Sequence, residues 1–336
     1  MFKEKCLPEI VAEVIRNERV ESRHRGYIAV ATTNGSLLAS LGEVQFRTYI
    51  RSAAKPFQIM PLLTSGAVEH FQFTDKELAV IMASHNSESF HLETVKSILK
   101  KIGLTVEHLK CGSHLPLHKP TAKELLIQKE RLTALHNNCS GKHSGMLALA
   151  VYKKWPLATY LNPEHPVQVE IKETISGFSG VPTDEIHVGV DGCSAPVFFL
   201  PVKNMAMMYA ELSERNTEPG ERVFNLMSAN PEMIAGSDRF DTDLMQALAG
   251  RAVSKVGAEG VRCLGIRGSA PIGIAIKIDD GSGRASAAVM LEVLAQLDLI
   301  SEAELDKLSK YRKPVFKNHA GIETGFINVN FKLYFW

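Results

Sequence analysis

The sequence predicts an α+β fold, on three observations. Strand-like alternation with a turn signal lies near the start of the chain, a second strand pair lies near its end, and the stretch between them has helical periodicity. Gly26–Leu41 reads as a hairpin, because Asn34-Gly35 separates the apolar runs Tyr27–Thr33 and Ser36–Ser40. Asn-Gly suits the positive φ angles of a two-residue hairpin turn. Val44–Ile50 is strand-like. Ala53–Ser65 and Asp75–Met82 read as helices. Phe90–Ile102 does too, with Leu92, Val95, Ile98, Leu99 and Ile102 at core spacing. A helix His143–Lys154 follows a Ser-Gly turn. Ile186–Val190 and Val197–Val202 read as strands, as do Gly260–Ile266 and Pro271–Ile278, the last ended by Asp280-Gly281. Ala285–Leu299 completes the pattern as a C-terminal helix.

At about 150 residues per domain, 336 residues make one large domain or two. No repeat or long linker interrupts the chain. Residues 1–336 therefore read as a single domain, with a helical sub-region over about 53–180 between sheet-forming ends. Hydrophobic residues at 45% and charged residues at 22% exclude disorder. A net charge of +1 gives no electrostatic ground for nucleic-acid or membrane-surface binding. The most apolar stretches, Ala287–Leu297 and Gly189–Val202, are interrupted by Glu292, or by Asp191 and two prolines, so neither reads as a membrane span. Met1–Cys6 is charged and lacks the apolar run of a signal peptide. Five cysteines read as reduced thiols in a cytoplasmic protein.

Several motif searches fail. There is no phosphate-binding G-x-x-x-x-G-K-[ST], no G-x-G-x-x-G, no H-E-x-x-H and no C-x-x-C. Arg51-Ser-Ala-Ala-Lys-Pro56 does contain Ser52-x-x-Lys55. A serine hydroxyl attacks poorly until a base takes its proton, and a lysine one helical turn away can be that base. A second match, Ser97–Lys100, falls on the polar face of an amphipathic helix and reads as coincidence. Ala83-Ser84-His85-Asn86-Ser87-Glu88 packs polar residues densely after an apolar helix; helix capping alone needs one of them. In Ile272–Ile278, Lys277 alternates with Gly273 and Ala275 on one strand face. That suits a strand beside an active site, or an edge strand protected by a lysine.

Two cysteines sit in Gly/Ser-rich turns, Asn137-Asn-Cys139-Ser-Gly-Lys142-His-Ser-Gly145 and Gly189-Val-Asp191-Gly-Cys193-Ser194. They read as a redox pair, as metal ligands or as unrelated buried thiols. Arg51 offers a guanidinium for a carboxylate, and Asp191 and Glu88 offer carboxylates for an ammonium. The alternative is that Arg51 and Asp191 pair with each other and brace a loop.

As a set these segments, together with Val20–Gly26 and Lys277-Ile-Asp-Asp-Gly281, resemble the bacterial L-asparaginase II family, the type of the inducible Rhizobium etli enzyme. They run in family order across nearly the whole chain. The resemblance implies a fold like the serine β-lactamases and glutaminases, with a sheet, flanking helices and a mainly helical region. It implies a homodimer that hydrolyses L-asparagine to L-aspartate and ammonia through an acyl-enzyme. It maps two serine–lysine pairs onto Ser52 with Lys55 and Ser84 with Lys277. A substrate with an α-carboxylate and an α-ammonium needs both signs of charge, so Arg51, Asn86, Glu88 and Asp191 are the expected substrate-binding residues. It also implies Zn²⁺ at Cys139, Lys142 and Cys193, supporting substrate binding without carrying the chemistry. Ile-Asp follows Lys277 where penicillin-recognising enzymes have Thr-Gly, so penicillin turnover is not expected. Glutaminase is the alternative within the class, since one methylene is worth only about 1–3 kcal/mol of discrimination. A non-catalytic thiol-zinc protein is the alternative outside it.

Overall fold

The computed structural model describes residues 7–129 and 131–336. Met1–Cys6, read above as lacking a signal sequence and holding the fifth cysteine, lies outside the described residues. The chain is α+β and divides into two compact units. One comprises residues 7–48, 200–214 and 243–336, and the other residues 49–199 and 215–242.

The first unit carries a nine-stranded sheet. Its long strand Arg19–Ala31 pairs antiparallel with Glu9–Arg16, with Leu37–Leu41 and with Ile272–Ile278. The hairpin forms in register Ile28↔Leu41, but its connection is longer than the expected two residues: it runs over Thr32–Ser36, and Gly35 at φ 78° takes the positive angle while Asn34 does not. Val261–Ile266 and Ile272–Ile278 form the second hairpin, in register Val261↔Lys277 through Ile266↔Ile272. Ile272–Ile278 has strand partners on both sides, which removes the edge-strand reading of Lys277. The small residue Gly273 has another use. A Cβ there would lie 1.8 Å from Ala206 O, because the helix Val202–Ser213 packs directly on this strand. Val202 opens that helix instead of closing a strand, since Pro201 takes the N-cap position. The expected C-terminal helix is present at Ser286–Gln296.

The second unit is mainly helical. Asp75–Ile81 starts on a capping box in which Thr74 and Glu77 satisfy each other's backbone N–H groups. Ser89–Lys101 follows the predicted periodicity. Ser97 donates to Glu77 Oε1 at 2.7 Å and Lys100 is exposed, so the second Ser-x-x-Lys match is structural. The predicted helix Ala53–Ser65 is broken into Arg51–Ala54, Lys55–Gln58 and Met60–Thr64. Pro56 and Pro61 each lack the N–H needed for an unbroken ladder. The central helix, Ser140–Tyr152, begins three residues earlier than predicted and is buried from Ser140 to Ala150. Its two glycines explain that packing. A Cβ on Gly141 would fall 2.0 Å from Val80 O, and one on Gly145 would fall 2.5 Å from Ile81 Cγ2. His187–Val190 pairs antiparallel with the strand beginning at Pro196. Among the described residues, no helix is long and apolar enough to cross a membrane.

Candidate active site

The second unit assembles most of the residues singled out from sequence. Arg51 holds φ +54°, an unusual conformation for a non-glycine residue, and turns the chain into the short helices that carry Ser52 and Lys55. Ser52 is half-buried and Lys55 is 1% exposed. The Ser84 loop follows the helix Asp75–Ile81 and is anchored by Ser84 N–H on Ile234 O at 2.9 Å. Lys55 Nζ donates to Ala83 O at 2.5 Å, Ser84 Oγ at 3.0 Å and Asn138 O at 3.2 Å. Of these three partners only the Ser84 hydroxyl can also donate. A neutral Lys55 would spend its two N–H groups on the carbonyls and turn its lone pair to Ser84. Burial favours that neutral form by lowering the lysine's pKa, the nearby Lys142 ammonium adds to this, and the Cys139 and Cys193 sulfurs oppose it. Among the described residues, Ser52 Oγ has no hydrogen bond, which leaves it the more accessible hydroxyl.

The two thiol turns meet beside this lysine. Lys142 Nζ donates to Cys193 Sγ at 3.1 Å, and Cys193 in turn hydrogen-bonds Cys139. All three side chains are buried. The Cys193 thiol and the two lysines hold Cys139 well below the ordinary thiol range, while donation to Cys139 and burial push Cys193 up. Although burial disfavours its charge, Lys142 is held protonated by the two sulfurs and Asp191. The reduced-thiol reading holds for all four described cysteines. Among the described residues, no three His, Cys, Asp or Glu side chains form a metal-binding group. Counting the lysine nitrogen changes that inventory. Two soft sulfurs and an amine converge, a donor set that fits zinc once Lys142 gives up its proton.

Arg51 and Asp191 pair with each other. Arg51 Nε and Nη2 both reach Asp191 Oδ1, at 2.9 and 2.8 Å, and Gly192 N–H reaches the same oxygen at 2.8 Å. This is the bracing arrangement foreseen as the alternative. Burial opposes the Asp191 charge, but Lys142 and Arg51 keep its pKa below the ordinary value.

Asn86 and Glu88 meet a segment that sequence reasoning missed, Gly236–Arg239. Asn86 Nδ2 donates to Ser237 O at 2.9 Å, Arg239 Nη1 donates to Asn86 Oδ1 at 2.6 Å, and Ser237 N–H donates to Glu88 Oε2 at 2.8 Å. Gly236, at φ +104°, is required here. A Cβ would lie 2.6 Å from both Asn86 Nδ2 and Glu88 Oε2. The only sequence signal was a Gly-Ser-Asp turn before an apolar helix. Asn138 and His85 were also missed as individual positions. Ser87 N–H donates to His85 Nδ1 at 3.1 Å, so the ring proton sits on Nε2 and is given to Ser140 Oγ at 2.9 Å. Lys277 belongs to the first unit, where its Nζ donates to Glu259 O at 2.6 Å and Ile278 O at 2.8 Å.

The chain is similar to several solved structures at low identity. Mglu in its native form in 4.3 M NaCl matches at 14% identity and a TM-score of 0.37, over 82% of this chain and 62% of that one. A β-lactamase from Mycobacterium bovis matches at 12% identity and a TM-score of 0.41, over 81% of this chain and 94% of that one. A Bacillus glutaminase matches at 12% identity and a TM-score of 0.35, over 82% of this chain and 91% of that one. The chain thus spans less than two thirds of the first Mglu structures it matches. No curated protein matches it. The family model for L-asparaginase II matches residues 12–329, nearly the whole chain, and the chain belongs to that family.

Proposed function

We propose that this amidohydrolase cleaves the side-chain amide of L-asparagine, giving L-aspartate and ammonia. The observation that carries the reading is the hydrogen bond between buried Lys55 Nζ and Ser84 Oγ, one helical turn from the accessible Ser52. Ser52 Oγ attacks the amide carbon, and Lys55 takes its proton. Lys55 passes that proton to Ser84, which delivers it to the departing nitrogen as the C–N bond breaks. Ammonia leaves and an ester remains on Ser52. Water then attacks the ester, and its proton returns along the same path to reprotonate Ser52. Lys277 is assigned a share in expelling ammonia on the strength of the family resemblance. The direct Lys55–Ser84 contact also favours a second reading, in which Ser84 attacks.

The zinc site is part of the same proposal, with Cys139, Lys142 and Cys193 as the ligands. When bound there, zinc would supply a Lewis-acidic positive charge for substrate binding. The chain's own residues do the rest: Arg51 fixes Asp191 beside Lys142, and the serines and Lys55 move the proton. The proposal includes a cytoplasmic homodimer, tested by sedimentation and by fractionation.

Ammonia release from L-asparagine and L-glutamine tests the activity. Faster release from asparagine is expected. Faster release from glutamine favours the glutaminase alternative, and release from neither favours the non-catalytic thiol-zinc protein.

A further inference from the structure

Two of the sequence segments singled out above, Val20–Gly26 and Lys277–Gly281, meet in the first unit, and of their residues the proposed reaction uses Lys277 alone. The strands that carry them pair in register Gly26↔Ile278, and Asp279 N–H donates to Arg25 O at 2.8 Å.

Lys277 is 7% exposed, and its Nζ donates to Ile278 O at 2.8 Å and to Glu259 O at 2.6 Å. The first of these acceptors belongs to a tight turn, which Gly281 N–H closes on the same Ile278 O at 3.1 Å. The position of the turn therefore sets where the lysine nitrogen is held. Asp280 fixes the turn. Its Oδ1 accepts Ser282 N–H at 2.8 Å, and its Oδ2 lies 2.6 Å from His24 Nδ1.

His24 is 2% exposed on the neighbouring strand, and both of its ring nitrogens are engaged. Arg284 Nε, which can only donate, reaches His24 Nε2 at 2.8 Å. Nε2 is thus the acceptor, and the ring proton sits on Nδ1, directed at Asp280. Arg284 Nη2 also donates to Ser22 Oγ at 3.2 Å, which ties the guanidinium back to the strand of His24. A buried neutral imidazole of fixed tautomer so grips the carboxylate that shapes the turn beside Lys277. Backbone pairing of the two strands ends at Arg25 O, and the His24–Asp280 bond is the next tie along them.

We propose that His24 is a positioning residue for Lys277, acting through Asp280 and the Ile278 carbonyl. This rests on the share in expelling ammonia assigned to Lys277 and deepens it. Displacing a reacting group by about 1 Å can cost about 10²-fold in rate. The grip on the turn therefore acts on kcat and leaves the groups that bind substrate alone.

Ammonia release from L-asparagine is measured for wild type, His24→Ala, His24→Asn, Asp280→Ala and Lys277→Met, and for the last combined with either alanine variant. Melting curves verify folding. Lys277→Met should lower kcat. His24→Ala and Asp280→Ala should each lower kcat by about 10- to 100-fold, with KM within about twofold of wild type. In His24→Asn the amide N–H takes the place of Nδ1–H towards Asp280, so part of kcat should return. Neither double variant should be slower than Lys277→Met, because the brace then has nothing left to position. Raised KM at unchanged kcat, no loss in the single variants, or the full single-variant loss repeated in the Lys277→Met background overturns the proposal. Where His24→Ala fails to fold, Asp280→Ala decides by the same comparison, since its side chain is 45% exposed. Wild-type kcat in Lys277→Met overturns the share of Lys277, and a wild type that releases no ammonia overturns the activity on which that share rests.

Discussion

Lys55 Nζ and Ser84 Oγ are joined by a 3.0 Å hydrogen bond although they lie 29 positions apart in sequence, and the lysine also meets two carbonyl oxygens and the Cys139 sulfur. Of these oxygens only the Ser84 hydroxyl can relay a proton from Lys55, because a carbonyl oxygen has none to pass on. Lys55→Met should lower kcat by about 10²–10⁴-fold, the usual contribution of a positioned base. Ser84→Ala should also lower kcat, and the double variant should be little worse than the poorer single one. Steady-state ammonia assays on the three variants check this. Fully multiplicative losses would mean that the two residues act independently.

Arg51→Gln strands the Asp191 carboxylate, whose side chain is only 11% exposed. The expected loss of stability is about 1–3 kcal/mol, below the 3–5 kcal/mol of a fully buried pair because Arg51 is partly solvated. Urea unfolding measures it. Adding Asp191→Asn to Arg51→Gln should restore part of the loss. Asp191→Asn alone should leave substrate affinity nearly unchanged if the pair is a brace.

Acid should destabilise the fold through its buried histidines. Burial lowers the His91 pKa to about 4 and pushes His85 and His143 well below the ordinary value. His91 Nε2 donates to Glu232 O at 3.0 Å, while its Nδ1 is buried without a partner, which suits the neutral ring. Between about pH 6.5 and 4 the unfolded chain binds a proton at this position that the folded chain refuses. Stability is thus fully present above pH 6.5 and falls as pH drops towards 4, by on the order of 3 kcal/mol for His91. Urea midpoints at pH 7, 5.5 and 4.5 check the slope, and His91→Gln should flatten it.

Zinc should raise the melting temperature of the wild type, since a ligand at 100 times its Kd contributes about 2.7 kcal/mol. The Cys139→Ala, Cys193→Ala double variant should fold, show no such shift and retain some turnover with weaker substrate binding. Differential scanning with and without zinc, plus metal analysis, checks this. A double variant that stays folded and still binds asparagine but has no chemistry would remove the serine nucleophile.

The elements read correctly from sequence are those with a local cause. The hairpin Arg19–Leu41 is located by Gly35, although its connection is longer than an Asn-Gly pair, and Ser89–Lys101 has its apolar stripe. Ser140–Tyr152 was mis-started because its first turn is polar in sequence yet buried in the fold, admitted by Gly141 against Val80. Val202–Ser213 was missed because its apolar residues continue those of the preceding strand without a break. In the site, the Cys139–Lys142–Cys193 convergence was legible as residue types in two similar turns. The Gly236–Arg239 segment was not, because its role comes from contacts with residues about 150 positions away. The Arg51–Asp191 pair was visible only as one of two alternatives, since sequence shows charges without showing what they face.

Mass spectrometry of protein quenched during turnover of L-asparagine tests the central claim most directly. The account predicts a β-aspartyl ester on the peptide containing Ser52, absent from Ser52→Ala, with Ser84 unmodified. An ester on Ser84, or steady turnover by Ser52→Ala with no adduct anywhere on the chain, would contradict it.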